Sequence, residues 1–189
     1  MKINLYDFDG TIYEGDSTRD FFFYELRRHP IIFFTLFESA LFGLLYLVRL
    51  VSKTKMKEHF YKFLRLIKNI DNEVISFWRV HDKNIKKFYL DKKHDHDIII
   101  SASPEFLLLP ISRKLKVKDL IASKVDKYTG KTEGLNCHDK EKVRRLNEKY
   151  NDYIVMESYS DSLSDTPILM IAKKAYMVKG DKLELKKFK

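Results

Sequence analysis

An apolar run at the start of the chain ends at two acids that are one residue apart. The stretch KINLYDF (2–8) reads as a short buried strand, with Asp7 and Asp9 at its end. A strand that stops at polar residues is typical of the carboxyl edge of an open parallel sheet, where α/β proteins bind ligands. Strand-like and helix-like segments alternate after residue 93. We therefore predict an α/β fold with a Rossmann-like parallel sheet.

A long stretch of helical pattern interrupts this alternation. Pro30 separates its first two helices, because proline cannot continue a helix from within. We predict that residues 1–15 and 94–189 form the α/β core, and that residues 16–93 form an inserted, all-helical cap. The sequence does not predict an oligomeric state.

Composition limits the size of the fold, the redox compartment and the classes of binding partner. The 189 residues are 44% hydrophobic and 33% charged, which suits one compact domain with an inserted subdomain. The lone Cys137 excludes an internal disulfide and a thiolate zinc site, and it suits a reducing cytoplasm. If residues 1–6 are a structural strand, there is no room for a cleaved signal peptide. A net charge of +9 favours nucleic acid, acidic lipid or phosphorylated metabolites, or is simply a solvated surface.

Acids also follow a late strand of the predicted sheet. The strand DYIVMESYSDS ends near Asp161 and Asp165. Carboxyl ends of parallel strands meet at one edge, so these two acids and the first pair converge although they are distant in sequence. Their mutual repulsion is costly unless a cation lies between them, and hard oxygen ligands of this kind suit Mg²⁺.

Four motifs then occur in a recognisable order. DFDGT (7–11), IIISAS (98–103), Lys142 and SDSLSD (160–165) resemble the motifs of the haloacid dehalogenase-like phosphohydrolases. The helical insertion between the first two looks like a C1-type cap. The chain is similar to the phosphoserine-phosphatase-like branch and most similar to its phosphatidylglycerophosphatase C-like members, which also carry an apolar cap segment.

The resemblance implies a role for each residue at the sheet edge. Asp7 would be the nucleophile that forms an aspartyl-phosphate, and Asp9 the general acid and then the general base. Mg²⁺ would be held by the Asp7 carboxylate, the Asp9 main-chain carbonyl and Asp161. Ser101 and the amide of Ala102 would bind phosphoryl oxygens, helped by the start of the next helix.

Three further roles follow from the same resemblance. Lys142 would supply a fixed positive charge to the nucleophile and the phosphoryl group, and it is preferred to Lys140 because Asp139 stands where the branch has a glycine. Asp165 would support the metal shell or orient the lysine. In this branch an acid just past the first motif reads the substrate amine. Asp16 has that spacing but is Asp rather than Glu, which favours a substrate other than phosphoserine.

Several polar residues have simpler interpretations. Ser103, just before Pro104, suits a helix-start hydroxyl. The HDHD stretch (94–97) invites a metal site, but a polar turn into the strand is the favoured interpretation. Cys137 and His138 are predicted to be framework residues, since no pairing of base and nucleophile is suggested.

Residues 31–51 carry only Glu38 and Arg49 as charges. Three alternatives remain open for this apolar segment. It could be two short helices buried inside the cap, or an apolar face on an anionic membrane surface. It could also be a membrane span, which Glu38 disfavours. The basic residues that flank it in the membrane-surface alternative are Arg27, Arg28, Lys53, Lys55 and Lys57.

The predicted function is Mg²⁺-dependent hydrolysis of a phosphomonoester through an aspartyl-phosphate, on a phospholipid head group such as phosphatidylglycerophosphate. A small soluble metabolite, phosphoserine-like or a sugar phosphate, is the alternative substrate. A non-catalytic phosphate or lipid sensor is the alternative, although binding alone would not need the proton-transfer acid Asp9. A nucleic-acid reader is disfavoured, because the lysines are dispersed and form no recognised module. The predicted location is the cytoplasm, either free or at the inner face of the membrane.

Overall fold

A six-stranded sheet in the order β3-β2-β1-β4-β5-β6 forms the centre of the chain. The computed structural model describes residues 1–187, so the end of the predicted core segment 94–189 lies outside the described residues. Every neighbouring pair of strands is parallel except the last, which is an antiparallel hairpin. The strands are Lys2–Tyr6 (β1), Asp97–Pro104 (β2), Asp119–Ser123 (β3), Ile154–Ser160 (β4), Ala172–Lys179 (β5) and Lys182–Lys186 (β6).

Strand β1 lies in the middle of the sheet because both of its faces are apolar. Side chains alternate along a strand, so Ile3 and Leu5 face one side and Tyr6 the other. The first two pack with Leu146 and Ile168 in one apolar cluster. Tyr6 joins a larger, aromatic-rich cluster that continues into the helical insertion. The strand is therefore covered on both faces, as expected for a parallel sheet.

Eight α-helices surround or extend this sheet among the described residues. Five lie between β1 and β2, which agrees with the helical pattern predicted there, and short 3₁₀ turns interrupt them. The boundaries of the cap stay a prediction. The helices of the insertion are Ser17–Arg28 (α1), Thr35–Leu47 (α2), Lys53–Phe60 (α3), Ile70–His81 (α4) and Lys87–Lys92 (α5). The helices of the core are Glu105–Leu115 (α6), Lys140–Lys149 (α7) and Thr166–Met170 (α8).

Aromatic packing ties the insertion to the core. Trp78 of α4 makes edge-to-face contacts with Phe8 and Tyr13, at ring-centroid distances of 5.9 and 5.6 Å. Its indole nitrogen donates to the carbonyl oxygen of Leu107 in α6, at 2.6 Å. This single side chain contacts both the loop after β1 and a core helix, so the cap has a defined position over the carboxyl edge of the sheet.

The two chain segments that connect core and cap run side by side. Tyr13 and Ile85 form an antiparallel bridge. The amide of Lys86 donates to the Ile12 carbonyl oxygen, and the amide of Glu14 donates to the Asn84 carbonyl oxygen, both at 2.8 Å. The insertion therefore leaves and re-enters the core at neighbouring points.

The apolar segment is not buried inside the cap, so the first of the three sequence alternatives is wrong. Helix α2 contains no buried residue. Phe34 and Phe37 are 71% and 69% exposed, and Leu47 is 76% exposed. Among residues 1–187, only Pro30–Leu47 forms a helical stretch long and apolar enough to cross a membrane. Hydropathy alone could not separate a buried helix from an exposed one, because both use the same residue types.

Candidate active site

The predicted site residues come together at the carboxyl edge of the three central strands. Asp7 directly follows β1, and Asp161 directly follows β4, its neighbour in the sheet. Ser101 lies near the end of β2 on the other side. Lys142 is in the first turn of α7, which brings it to the same edge. The topology, with β1 between β2 and β4, is what makes distant motifs adjacent.

A buried lysine bridges two carboxylates at the centre of this edge. The Nζ of Lys142 lies 2.7 Å from Asp7 Oδ1 and 2.8 Å from Asp165 Oδ1. Burial alone would lower the pKa of Lys142, but the two carboxylates raise it above its ordinary value, so the side chain stays protonated. Ser160 Oγ donates to the second oxygen of Asp165 at 2.7 Å. Both oxygens of Asp165 are thus engaged within the protein.

The alternative lysine is not at this site. Lys140 is exposed, whereas Lys142 is 2% exposed. Asp139, which precedes α7, has φ of +55°, a backbone conformation that favours glycine. It therefore adopts at a cost the conformation that a glycine would adopt freely.

Asp9 is held by the start of the cap and by the last residues of β2. Its Oδ1 accepts a hydrogen bond from the amide of Ser17 at 2.7 Å, and its Oδ2 accepts one from Ser103 Oγ at 2.5 Å. Burial, followed by the charge of Asp16, raises the pKa of Asp9, while these two hydrogen bonds act against that rise. A carboxyl group with a raised pKa retains a proton more readily, which suits a general acid.

Sequence reasoning missed Ser103, which it interpreted as a helix-start hydroxyl. Its hydroxyl bonds the proposed acid and also lies 2.8 Å from the hydroxyl of Thr18 in α1. The register of β2 against β3 shifts between Ser101 and Pro104, and this irregularity turns Ser103 toward the site. The two serines of IIISAS, which alternate with alanine, were a weak signal for a site residue, because their spacing does not show which serine faces the cavity.

Ser101 and Ala102 lie in the second half of β2. The hydroxyl of Ser101 is buried and accepts a hydrogen bond from the amide of Ser103 at 3.1 Å. The cavity wall at this point is formed by Ala102 and Ser103. The phosphoryl-binding roles of Ser101 and Ala102 stay predictions.

Asp161 lies against the glycine of the first motif. Gly10 has φ of +72°, and a Cβ on it would be 2.1 Å from Asp161 Oδ2. Thr11 Oγ1 accepts a hydrogen bond from the Asp161 amide at 3.0 Å. The Nζ of Lys86 donates to the Gly10 carbonyl oxygen. Gly10 therefore leaves the space that the Asp161 carboxylate occupies, and Thr11 holds the backbone of Asp161 in place.

The donors at this edge suit a hard divalent cation. Asp7 and Asp161 both present carboxylates, and burial raises the pKa of each. A cation would stabilise their ionised forms. In residues 1–187, no three His, Cys, Asp or Glu side chains are grouped so that they could hold a metal. A metal site here therefore also requires main-chain, substrate or water oxygens, as the predicted use of the Asp9 carbonyl does.

Asp16 caps the first helix of the insertion. Its Oδ1 accepts a hydrogen bond from the Arg19 amide at 2.8 Å, and its side chain lines the cavity above the acids. One carboxylate oxygen therefore serves the helix end, as expected for an N-cap. Its predicted contact with substrate stays a prediction.

A cavity of about 670 Å³ opens above the carboxyl edge. Its floor contains the acids and Lys142, and its roof comes from the cap. The roof residues are Lys53, Met56, Lys57, Phe60 and Tyr61. Sequence reasoning placed both lysines beside the apolar segment as membrane-facing flanks, and for these two the structure corrects that interpretation. Their spacing of four residues was the available signal, because it puts them on one helix face.

The HDHD stretch is a turn at the opposite end of β2, as the favoured interpretation predicted. Asp97 is buried and accepts hydrogen bonds from the His94 amide at 2.8 Å and from Asn4 Nδ2 at 3.0 Å.

Cys137 is buried, and burial raises the pKa of its thiol to about 11. His138 instead lines the cavity, so it belongs with the site rather than with the framework.

Comparison with protein families gives a match over most of the chain. The model of the haloacid dehalogenase-like hydrolases matches residues 5–170. Protein CicA of Caulobacter vibrioides is 34% identical over 88 residues, which are 43% of this chain and 40% of that protein. The aligned part therefore spans about two fifths of the length of this curated relative.

Two solved structures share the fold. A protein of unknown function from Bordetella pertussis Tohama I has a TM-score of 0.71 and 21% identity, covering 92% of this chain and 88% of that one. A phosphoserine phosphohydrolase-like protein from Francisella tularensis has a TM-score of 0.56 and 16% identity, with coverages of 93% and 86%. At these identities, the similarity describes architecture.

Proposed function

Because the chain belongs to the haloacid dehalogenase-like hydrolase family, we propose that it hydrolyses a phosphomonoester with Mg²⁺ through an aspartyl-phosphate on Asp7. The observation that carries this proposal is the placement of Lys142 against Asp7, at 2.7 Å, beside an acid with a raised pKa on the same loop. A phosphate-binding protein would need the lysine, but it would not need a second carboxyl group poised to transfer a proton.

In the first half-reaction, an oxygen of Asp7 attacks phosphorus as the bond to the leaving oxygen breaks. Asp9 gives its proton to that oxygen, which departs as an alcohol. In the second half-reaction, Asp9 accepts a proton from water as the water oxygen attacks the same phosphorus. The Asp7 carboxylate is released together with inorganic phosphate. Ser17 and Ser103 hold Asp9 for both proton transfers.

The oxygen ligands of Mg²⁺ would be the Asp7 carboxylate, the Asp9 main-chain carbonyl and the Asp161 carboxylate. Bound there, the cation reduces repulsion between the nucleophile and the phosphate and stabilises negative charge in the transition state. Asp165 fits better as the residue that orients Lys142 than as a metal ligand, because Lys142 and Ser160 already occupy its two oxygens.

The phosphoryl oxygens would contact Lys142, Ser101 and the amide of Ala102. Helix α6 begins at Glu105, directly after the strand β2 that contains the last two, so its positive end faces the same edge. Lys142 stays charged throughout the reaction and moves no proton. Its role is electrostatic.

Hydrolysis of 4-nitrophenyl phosphate tests this proposal. We expect turnover with Mg²⁺, loss of turnover with EDTA, and at least a thousandfold loss in Asp7→Asn with an unchanged circular dichroism spectrum. Asp95→Asn is the matched control, since Asp95 is exposed in the turn at the opposite end of β2. Turnover by Asp7→Asn at the wild-type rate would exclude Asp7 as the nucleophile.

A phospholipid head group such as phosphatidylglycerophosphate is the substrate that we propose. The support is the exposed apolar segment, whose aromatic and aliphatic side chains meet solvent next to Arg49 and Lys55. Helix α3 packs against α2 on one side and lines the cavity on the other. A face lying on the inner surface of an anionic membrane would therefore be one helix away from the reacting phosphate.

Flotation with liposomes separates this location from the alternatives. We expect binding to vesicles that contain anionic lipid, and weaker binding by the doubly substituted protein Phe34→Ser, Phe37→Ser. Asn147→Ser is a control far from the segment. Absence of binding at low salt would reject the membrane-surface location and favour a soluble substrate. In that case, the substrate would be a small soluble phosphomonoester bound in the same cavity.

A further inference from the structure

Two lysines lie in the roof of the active-site cavity. Lys53 and Lys57 lie one turn apart on α3, and both line the cavity. Within residues 1–187, neither forms an ion pair with a carboxylate. A half-buried ammonium that is left unpaired costs free energy, so a protein that keeps two of them side by side is arranged for a negative ligand.

Lys57 is anchored but not neutralised. Its Nζ donates to the Ala102 carbonyl oxygen at 2.8 Å and to Asn136 Oδ1 at 3.1 Å. Both acceptors are uncharged, and an ammonium has three N–H groups, so one remains for a ligand. Burial and then the neighbouring charge of Lys53 lower the pKa of Lys57 to about 8.

Lys53 is placed over the other side of the site. Burial lowers its pKa, and the charges that act on it next are those of Asp165 and Lys142. His138, whose pKa burial and Lys53 lower, lines the same part of the cavity. The two roof lysines therefore lie above the floor of the cavity, one near the end of β2 and the other near the buried ion pairs.

The transferred phosphoryl group does not account for these charges. Lys142 already contacts the nucleophile, and the predicted metal site lies on the floor as well. The cavity of about 670 Å³ is far larger than one phosphoryl group, so its upper part must receive the rest of the substrate. Met56, Phe60 and Tyr61 line that part together with the two lysines.

Resting on the proposed function, we infer that Lys53 and Lys57 bind a second anionic group on the leaving alcohol of the substrate. The preferred substrate is then a phosphomonoester whose alcohol carries a phosphodiester or a carboxylate. Both groups accept charge-assisted hydrogen bonds from ammonium. The apolar residues that line the cavity together with the lysines would contact the carbon skeleton that joins the two anions.

The inference is tested by substrate preference within one protein. Glycerol 3-phosphate and 4-nitrophenyl phosphate carry no second anion, 3-phosphoglycerate carries a carboxylate, and glycerophosphoglycerol phosphate carries a phosphodiester. We expect kcat/KM for at least one of the last two to exceed that for glycerol 3-phosphate by about 10- to 100-fold. In Lys57→Met this ratio should fall about tenfold or more, mainly through KM, and in Lys57→Arg it should be largely kept. The better of the two anionic substrates identifies the source of the charge.

The matched control is Lys55→Met, because Lys55 is on the same helix but exposed, and its ratio should stay at the wild-type value. An unchanged ratio in both Lys57→Met and Lys53→Met would overturn the inference. So would an equal loss on all four substrates, because the lysines would then act on the shared phosphoryl group or on the fold.

Binding to the Asp7→Asn protein separates the inference from the proposed function. Calorimetry on that protein needs no turnover, and we expect 3-phosphoglycerate or glycerophosphoglycerol phosphate to bind at least tenfold more tightly than glycerol 3-phosphate. Adding Lys57→Met should remove the difference. Such binding in a chain that hydrolyses none of the substrates would reject the phosphatase proposal and keep the anion site. Turnover without any preference in binding would do the opposite.

Discussion

Lys142 and Asp165 form an ion pair that is almost completely buried, with 2.8 Å between Nζ and Oδ1. Asp7 shares the same ammonium from the other side. The lysine therefore compensates two carboxylates that have little other access to charge compensation within the fold. Its contribution to stability and its proposed contribution to catalysis are separable, because only the second needs a phosphoryl group.

We expect Lys142→Met to lower kcat for 4-nitrophenyl phosphate at least a hundredfold and to lower the melting temperature as well. Removing one partner of a buried ion pair leaves uncompensated charge, at a cost of about 3–5 kcal/mol. Adding Asp165→Asn should restore part of the melting temperature and none of the activity. Calorimetry and steady-state kinetics on the two proteins test this. Parallel recovery of both properties would mean that the lysine is structural only.

Asp9 should matter most for poor leaving groups. We expect Asp9→Asn to lower kcat for an alkyl phosphate about 10²–10⁴-fold, since an alkoxide needs the proton of the general acid. The loss on 4-nitrophenyl phosphate should be smaller, because nitrophenolate leaves without help. Ser103→Ala should shift both rates in the same direction by less, since Ser17 still donates to Asp9. Equal losses on both substrates would argue against proton donation by Asp9.

Gly10 should tolerate no side chain. A Cβ at this position would overlap Asp161, and φ of +72° is strained for any other residue. We expect Gly10→Ala to lower activity at least tenfold and to raise the Mg²⁺ concentration needed for half-maximal stabilisation in thermal unfolding. Gly43→Ala is the matched control, since nothing lies within 4 Å of its would-be Cβ in the exposed helix α2. It should raise the free energy of unfolding by up to about 1 kcal/mol. An active Gly10→Ala would show that Asp161 can move aside.

Glu25 gives the cap a pH-dependent stability. It is fully buried, and burial together with Glu73 raises its pKa to about 7, from 4.5 in the unfolded chain. The folded state therefore binds more protons than the unfolded state between these values. The contribution to stability is largest below pH 4.5, falls as the pH rises toward 7 and is lowest above 7. Glu25→Gln should melt about 5 °C higher than wild type at pH 8, with a smaller difference at pH 5.

The exposed Glu133→Gln is the control for Glu25→Gln, and it should follow the wild-type melting curve at both pH values. A Glu25→Gln protein with the same melting temperature as wild type at pH 8 would contradict the raised pKa of Glu25.

Asp139 offers a stabilising substitution beside the site. Its φ of +55° is costly for a residue with a Cβ, and glycine removes that cost. We expect Asp139→Gly to raise the melting temperature by a few degrees with little change in kcat, because the start of α7 keeps its place. Differential scanning calorimetry measures the effect. A lower melting temperature would mean that the Asp139 side chain stabilises the helix end by more than the backbone costs.

Much of the chain was predictable from short-range pattern. The apolar run before Asp7, the alternation after residue 93 and the spacing of the four motifs predicted the α/β sheet and the haloacid dehalogenase-like hydrolase family, and both predictions are confirmed. The choice of Lys142 over Lys140 used the distance from a glycine-like position, and the structure brings Lys142 to Asp7. The roles of the site residues stay predictions.

What could not be predicted depends on tertiary packing. Lys57 reaches Ala102 across 45 residues of sequence, and the helix that carries it packs against α2. The part of Ser103 in holding Asp9 depends on a register shift within β2 that no spacing rule predicts. The exposure of Phe34 and Phe37 could not be predicted either, because a core helix and an exposed apolar helix contain the same residue types.

The bridge between Tyr13 and Ile85 has a consequence for how this architecture can diversify. Because the polypeptide departs from the sheet and returns at one place, the number of helices between the two crossings places no demand on the pairing of β1 with β2. The inserted segment can be lengthened, shortened or exchanged while the residues at the carboxyl edge of the sheet stay the same. The exposed apolar helix α2 and the roof lysines of α3 can therefore change without altering the sheet. Selection for a new phosphate ester can act on these two helices alone.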